Sequence, residues 1–470
     1  MIFDKALRSI LYSELPILPK IDPQVFIELF LCFEFSVLMH IYCLMIGKVT
    51  LLVPWLERKD QDRTYPHNIR FEHPNEQKQF VRDWLIQEAN LPAAGRMLDI
   101  RFYSGRYHDD FHSIFPMGDI AELIPDEEAD ICVLEEPEHL NWYRAPFKTK
   151  TWTEKFKHVV GIIHTNYLVY ARSESGGFIK EPFLQLINQG MCRAYCHRII
   201  KLSDALQNFA PDKEITSNVH GVRENFLQVG DYSTYRGFTK GAYFVGKLAW
   251  PKGLDALFKL MNNIRLRSGR VFEIDIYGNG PHASEIEEMA KNFNLPTKFL
   301  GAEDHAILTE YKVFVNPSVS EVLCTTIVEA LAMGKWVVCA KHPSNDFFEE
   351  FPNCLTFRDQ EEFAANVLWA LNNDPIPLSV EHRYKLSWDA ATERLISSSA
   401  MTQSMFKGSI TFSDKFSHWL HDVATAGNHG DVVRNIAGGK AVASQTEFIR
   451  EFGSSDPIDQ EKYKRRQRCE

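Results

Sequence analysis

From residue 48 onward, short apolar runs rich in β-branched residues alternate with amphipathic stretches. The runs at 49–54, 97–103, 131–135, 159–164 and 199–202 predict strands of a first block. After a polar link near 223–240 the alternation resumes at 242–246, 271–277, 313–316 and 336–340. Runs that are apolar throughout and separated by helical stretches predict parallel strands covered on both faces. The expected fold class is α/β: two doubly wound, Rossmann-like domains facing a cleft, at 48–230 and 240–375. Residues 381–398, EHRYKLSWDAATERLISS, predict one amphipathic helix with Trp388 on its apolar side. The segment 376–400 is expected to pack back on the first domain. Residues 401–470 are Ser/Thr/Gly-rich with weak periodicity, which predicts a largely disordered tail with a short helix near 415–423.

The N-terminus breaks this pattern. Residues 25–47, VFIELFLCFEFSVLMHIYCLMIG, have about the length of a membrane span, but Glu28, Glu34 and His40 interrupt them. An acid at the centre of a span costs roughly 2.5–3.5 kcal/mol on insertion scales. A buried or interfacial helix is therefore as good a reading as a span. Asp4 and Glu14 precede the run and no small-residue cleavage site follows, which argues against a signal peptide.

Composition narrows the function. Charged residues make up 24% of the 470 and the net charge is −10, so a globular protein is expected, without a bulk basic surface for nucleic acid. The nine cysteines form no CxxC pair, which predicts reduced thiols and no Cys/His metal site.

Three phosphate-handling features follow one another in the second block. In AYFVGKLAWPKGLDALFKLM (242–261), Gly246 ends a strand and Lys247 and Lys252 flank a short loop before a helix. Two cations beside a helix start suit a diphosphate, although two solvated lysines read equally well. In IYGNGP (276–281), glycines allow close backbone approach to a ligand, or an ordinary tight turn. In SEVLCTTIVEALAMGKWVVCA (320–340), Glu321 opens a loop and a helix is expected near Thr325 or Thr326. Free amides at that start suit phosphate oxygens, and Glu329 can accept from ribose hydroxyls. Thr326 and Glu329 also read as a capping box, worth about 1 kcal/mol.

Together, the E-x7-E element with EALAMG, the G-K-x4-K run and YGNGP resemble the retaining GT-B glycosyltransferases of family 4. VLEEPEHLNWY (133–143), GIIHTNYLVYAR (161–172), CHRIIKLSDA (196–205) and CTTIVEALAMGKWVVCAKHPSNDFFEEFPNC (324–354) narrow this to the plant digalactosyldiacylglycerol synthases. The likeness runs from about 48 to 398. It implies transfer of galactose from UDP-galactose to monogalactosyldiacylglycerol with retention and without a metal or other cofactor. It implies donor binding by Gly246, Lys247, Lys252, Cys324, Thr325, Thr326 and Glu329. Glu321 and His164 are implied to contact the transferred sugar; on spacing alone His164 reads as a core histidine. Glu138 and His139, with Glu135 and Glu136 beside them, are the expected acceptor contacts, and a solvated loop is the rival reading.

A lipid acceptor implies contact with an anionic membrane surface. Residues 142–157, WYRAPFKTKTWTEKFK, interleave aromatics with bases and suit it, although a half-core helix reads as well. The implied location is the cytosolic face of the chloroplast outer envelope. Residues 1–47 do not match the family. They are either a membrane-associating replacement or a misassigned first exon. That keeps two further expectations open: a catalytically impaired, membrane-associated nucleotide-binding relative, and a family 4 transferase with another acceptor.

Overall fold

The computed structural model describes residues 48–425 and 432, apart from 66–68, 88–91, 109–112, 142–149, 167, 169–176 and 270. The apolar run at 25–47 lies outside them.

The second block is a six-stranded, all-parallel sheet. Its strands are β8 (Lys240–Val245), β9 (Ile274–Tyr277), β10 (Thr297–Phe299), β11 (Tyr311–Asn316), β12 (Trp336–Ala340) and β13 (Cys354–Phe357). Their spatial order is β10-β9-β8-β11-β12-β13. Counted from β8, that is 3-2-1-4-5-6, the doubly wound dinucleotide-fold order. The strand order reverses between β8 and β11, so ligands are expected at the carboxyl ends of those two strands. Every residue of β12 is buried, as a strand covered on both faces requires.

The first block holds seven strands, β1 (Thr50–Leu56), β2 (Asp99–His108), β3 (Ser113–Pro116), β4 (Ile131–Glu135), β5 (His158–Ile163), β6 (Arg198–Lys201) and β7 (Glu214–Thr216). Among the described residues they form two sheets. β4-β5-β6-β7 is parallel throughout, whereas β1-β2-β3 ends in an antiparallel pair. Side chains join the two sheets: Arg101 reaches the Leu123 carbonyl at 3.4 Å and Glu128 at 2.6 Å.

The helices used below are α1 (Pro137–Leu140), α2 (Gly177–Tyr195), α3 (Glu224–Arg236), α4 (Leu254–Ser268), α5 (Thr325–Ala332), α6 (Val380–Leu386), α7 (Trp388–Ser399), α8 (Gln403–Gly408) and α9 (Phe412–Thr425). The single helix expected at 381–398 is two. Ser387 is extended at ψ 161° and bridges Val222, so α6 stops there and α7 restarts with the Ser387 side chain as its cap. α7 lies on the first block: Arg394 donates to the Asn218 and His220 carbonyls, and Arg198 to that of Ser398.

The short helix expected near 415–423 is present and longer than expected, and residues 426–470 other than 432 lie outside the described residues. Residues 403–408 and 412–425 are helical, and α9 packs on α2. Its polar side faces inward: Asp414 meets Arg193 at 3.0 Å, and His421 meets the Tyr195 hydroxyl at 2.5 Å. Phe412 and Trp419 face out, 84% and 55% exposed. An inward polar face is invisible to a search for apolar periodicity.

The interfacial reading of 142–157 fails over its described part. Trp152 and Phe156 are buried, and Trp152 Nε1 donates to Asn141 Oδ1 at 2.8 Å. Lys155 donates to the Ala121 carbonyl at 2.7 Å. Residues 142–149 lie outside the described residues. Among the described residues, no helix is long and apolar enough to cross a membrane.

Candidate active site

At the end of β8 the chain turns through Gly246, runs past Lys247 and forms a short 3-10 turn, Trp250–Lys252, before α4 begins. At the end of β11 it turns at Asn316, passes Glu321 and enters α5 with Cys324 as cap. Between them lies a pocket. Gly246, Lys247, Lys252, Glu321, Cys324, Thr325 and Thr326 all line it. The fold thus brings seven of the expected donor-side residues to one place, at the strand-order reversal.

Two contacts tie the loops together. Lys252 Nζ donates to Glu321 Oε1 at 2.6 Å, and Ser320 Oγ donates to the Pro251 carbonyl at 2.5 Å. The Lys252 and Glu321 side chains are each only 9% exposed. A charge-assisted bond in such a position is strong because little water screens it. Cys324 makes no side-chain cap; its sulfur meets Asn316 Nδ2 at 2.9 Å and Thr326 Oγ1 at 3.1 Å. The amides at the start of α5 therefore have no side-chain cap from Cys324, as an anion site at a helix start requires.

Glu329 sits deeper. The capping box with Thr326 does not form, because Glu329 is in the second turn of a helix that starts at Thr325. Its Oε2 meets His305 Nδ1 at 2.7 Å, and His305 Nε2 meets the Tyr243 hydroxyl at 2.6 Å. Burial and the Glu329 carboxylate push the Tyr243 hydroxyl up, so it stays protonated. Glu329 does not line the pocket, and a buried His–Tyr pair fixes its direction.

The Gly-Asn-Gly turn has a different partner from the expected ligand. Gly246 N–H donates to the Tyr277 carbonyl at 3.0 Å and Leu248 N–H to that of Asn279 at 2.9 Å. Gly278 has φ +142°, and a Cβ there would sit 1.8 Å from the Gly246 oxygen. The turn supports the lysine loop from behind.

On the first block, His164 follows the end of β5. Its Nδ1 lies 2.7 Å from Glu136 Oε1, and its side chain is 7% exposed. The neighbouring strand carries the link to the donor side. Leu202 N–H donates to the Ile163 carbonyl at 3.3 Å, and Ser203 Oγ donates to the Val322 carbonyl, next to Glu321. Burial, then the Glu136 carboxylate, push Glu138 well above the usual carboxylate range. Cys192 Sγ lies 3.9 Å from Glu138 Oε2. His139 is a correction: its Nε2 meets the Ile114 carbonyl at 2.7 Å and its ring stacks on Phe115 at 4.5 Å, so it braces β3. Among the described residues, no group of three or more His, Cys, Asp or Glu is arranged to hold a metal ion.

Sequence reasoning missed Asn316, Ser203 and His305. Asn316 was findable, since a polar residue ending an apolar strand sits where ligands collect. Ser203 and His305 act through residues 119 and 24 positions away, which no local pattern shows.

The sequence profile of the family described as "Glycosyl transferases group 1" matches residues 239–373. Digalactosyldiacylglycerol synthase 2 of Arabidopsis thaliana is 45% identical over 357 residues, 74% of each chain. The synthase 2 of Glycine max is 39% identical over 432 residues, 87% of this chain and 91% of that one. This chain belongs to the digalactosyldiacylglycerol synthase family. Digalactosyldiacylglycerol synthase 1 of Glycine max is 46% identical over 368 residues, 77% of this chain. The chain spans about half the length of such synthase 1 relatives, 46% for this one. The relatives are named chloroplastic. Sucrose-phosphate synthase from Thermosynechococcus elongatus is similar at 15% identity and a TM-score of 0.46, over 74% of this chain and 98% of that one. In this synthase-family chain the pocket lies on the second block and His164 on the first.

Proposed function

We propose that this chain is a retaining galactosyltransferase that moves galactose from UDP-galactose to monogalactosyldiacylglycerol. The observation that carries the reading is the convergence of Gly246, Lys247, Lys252, Glu321 and the α5 start on one pocket, in a member of this family. Lys247, Lys252 and the α5 amides hold the diphosphate. Their positive charge, and no metal, stabilises the leaving group. Glu329, held by His305 behind the residues that line the pocket, is the proposed ribose contact, and Glu321 and His164 contact the galactose. The leaving phosphate takes the proton of the acceptor hydroxyl on the same face of the sugar, so neither Glu321 nor Glu329 acts as a nucleophile. Glu138 contacts the acceptor. The acceptor lies in a bilayer with an anionic surface, and the proposed location is the cytosolic face of the chloroplast outer envelope.

The test is incubation of the full chain with UDP-galactose and monogalactosyldiacylglycerol vesicles, with and without a chelator. Chelator-insensitive formation of an α-linked digalactosyl lipid is the expected result. UDP binding without product would favour the catalytically impaired reading.

A further inference from the structure

Glu136 has a left-handed backbone, φ 57° and ψ 61°. Among the described residues, only Glu136 and Asn294 are non-glycine residues with positive φ. For a residue with a Cβ this conformation is sterically unfavourable. Strain of this kind persists where the surroundings impose it, and it clusters at functional sites. Glu136 stands at the cap position of α1 but makes no side-chain cap.

Its carboxylate instead crosses to the next strand. Glu136 Oε1 accepts the His164 backbone N–H at 3.0 Å and lies 2.7 Å from His164 Nδ1. Glu136 N–H donates in turn to the Ile162 carbonyl at 2.9 Å. Both side chains are more than nine-tenths buried, at 5% and 7% exposure. His164 Nε2 is buried and has no hydrogen-bond partner among the described residues. A carboxylate oxygen can only accept, so a proton belongs on Nδ1, and a ring that carries this one proton has its lone pair on Nε2. The unpartnered Nε2 is then an acceptor held ready for a hydroxyl group.

We infer that Glu136 is a positioning residue that fixes the Nδ1–H form and orientation of His164, so that Nε2 accepts a hydroxyl of the transferred sugar. The sugar's identity rests on the reading under Proposed function; the Glu136–His164 relationship does not. The left-handed backbone of Glu136 turns its side chain from α1 towards β5, which accounts for the strain. Glu136 therefore serves His164 rather than the acceptor's hydroxyls.

The experiment uses the full chain labelled with 15N-histidine at pH 8, with His164 assigned by comparison with His164→Gln. Wild type is expected to show a protonated Nδ1 and an unprotonated Nε2. Glu136→Gly suits the left-handed backbone and removes the side chain with its carboxylate. It is expected to keep the melting temperature and UDP affinity, to lower kcat about a hundredfold with KM for UDP-galactose within threefold, and to lose the single Nδ1–H form. Glu136→Gln retains an acceptor oxygen and is expected to keep that form, with kcat within about tenfold of wild type. A wild-type Nε2–H ring, an unchanged tautomer in Glu136→Gly, or an unchanged kcat in that variant would each overturn the inference. If wild type makes no galactolipid, the proposed reaction fails while the 15N spectra still decide the role of Glu136.

Discussion

Lys252 Nζ and Glu321 Oε1 are 2.6 Å apart, on loops that follow two different strands, and both side chains are buried. Each group is the other's counter-charge, and each is also proposed to meet a different part of the donor. A diphosphate at the pocket would compete with Glu321 for Lys252. Binding then releases the carboxylate towards the sugar at the moment the donor arrives.

The two partners should therefore respond differently to substitution. Lys252→Ala removes a charge-assisted bond worth about 1.5–3 kcal/mol and is expected to weaken UDP binding about ten- to hundredfold. Glu321→Gln frees Lys252, and UDP binding should stay the same or tighten while kcat falls. Calorimetric titration of UDP with both variants checks this; equal losses of UDP affinity would refute the assignment of separate roles.

The lysine loop also depends on the backbone behind it. Gly278→Ala places a methyl 1.8 Å from the Gly246 oxygen at φ +142°, so the loop must move. The expected cost is about 3 kcal/mol or more, with loss of UDP binding. Gly269→Ala is the control: its φ is also positive, at +68°, but nothing lies within 4 Å of the added Cβ. It should lower stability by about 1 kcal/mol and leave UDP affinity unchanged. Thermal melts and UDP titrations separate the two.

Two buried histidines make the first block acid-sensitive. Burial, then His164 and Arg394, pull His220 down to about 3. Burial, then His158 and Lys213, pull His197 down to about 4. Unfolded histidine titrates near about 6.5. Above that value both residues are neutral in either state and their contribution to stability is fully present. As pH falls from 6.5 towards 4, the unfolded chain binds protons first and stability is lost. The melting temperature should drop by several degrees between pH 7.5 and 5. His197→Gln should flatten that drop; an unchanged slope would mean that other groups set it.

The donor half was legible because its chemistry is local. Gly246, Lys247 and Lys252 follow one strand, and Glu321 to Thr326 lead into one helix, so order along the chain implies proximity in space. β12 was legible to the residue because it is buried on both faces. β3, β7, β10 and β13 were not: each has three or four residues, and β7 and β10 carry no fully buried position. The first-block site was only half legible. His164 could be marked, but its contact with Glu136 joins neighbouring strands across 28 residues and needs a left-handed glutamate. In the tail the helix near 415–423 was legible but its orientation was not, because α9 turns Asp414 inward and its aromatics outward.

That inversion leads to the last prediction. Asp414 is 1% exposed and lies 3.2 Å from Lys213 Nζ, itself 3% exposed. Asp414 also accepts the Thr411 N–H at 2.8 Å, closing the first turn of α9. Lys213 additionally donates to the Arg193 and Cys196 carbonyls at 3.0 Å, which holds its charge in place whether or not α9 is docked. Asp414→Asn would leave that ammonium without its counter-charge. Removing one member of a buried pair costs about 3–5 kcal/mol. Arg193 is more exposed and water can compensate it, so the lower end of the range is expected. Lys213→Met in the Asp414→Asn background should recover much of the loss, because no buried charge then remains. Melts of the two single variants and the double variant measure the coupling directly. Additive losses would mean that Asp414 and Lys213 do not interact, and that α9 is held to α2 by its other contacts alone.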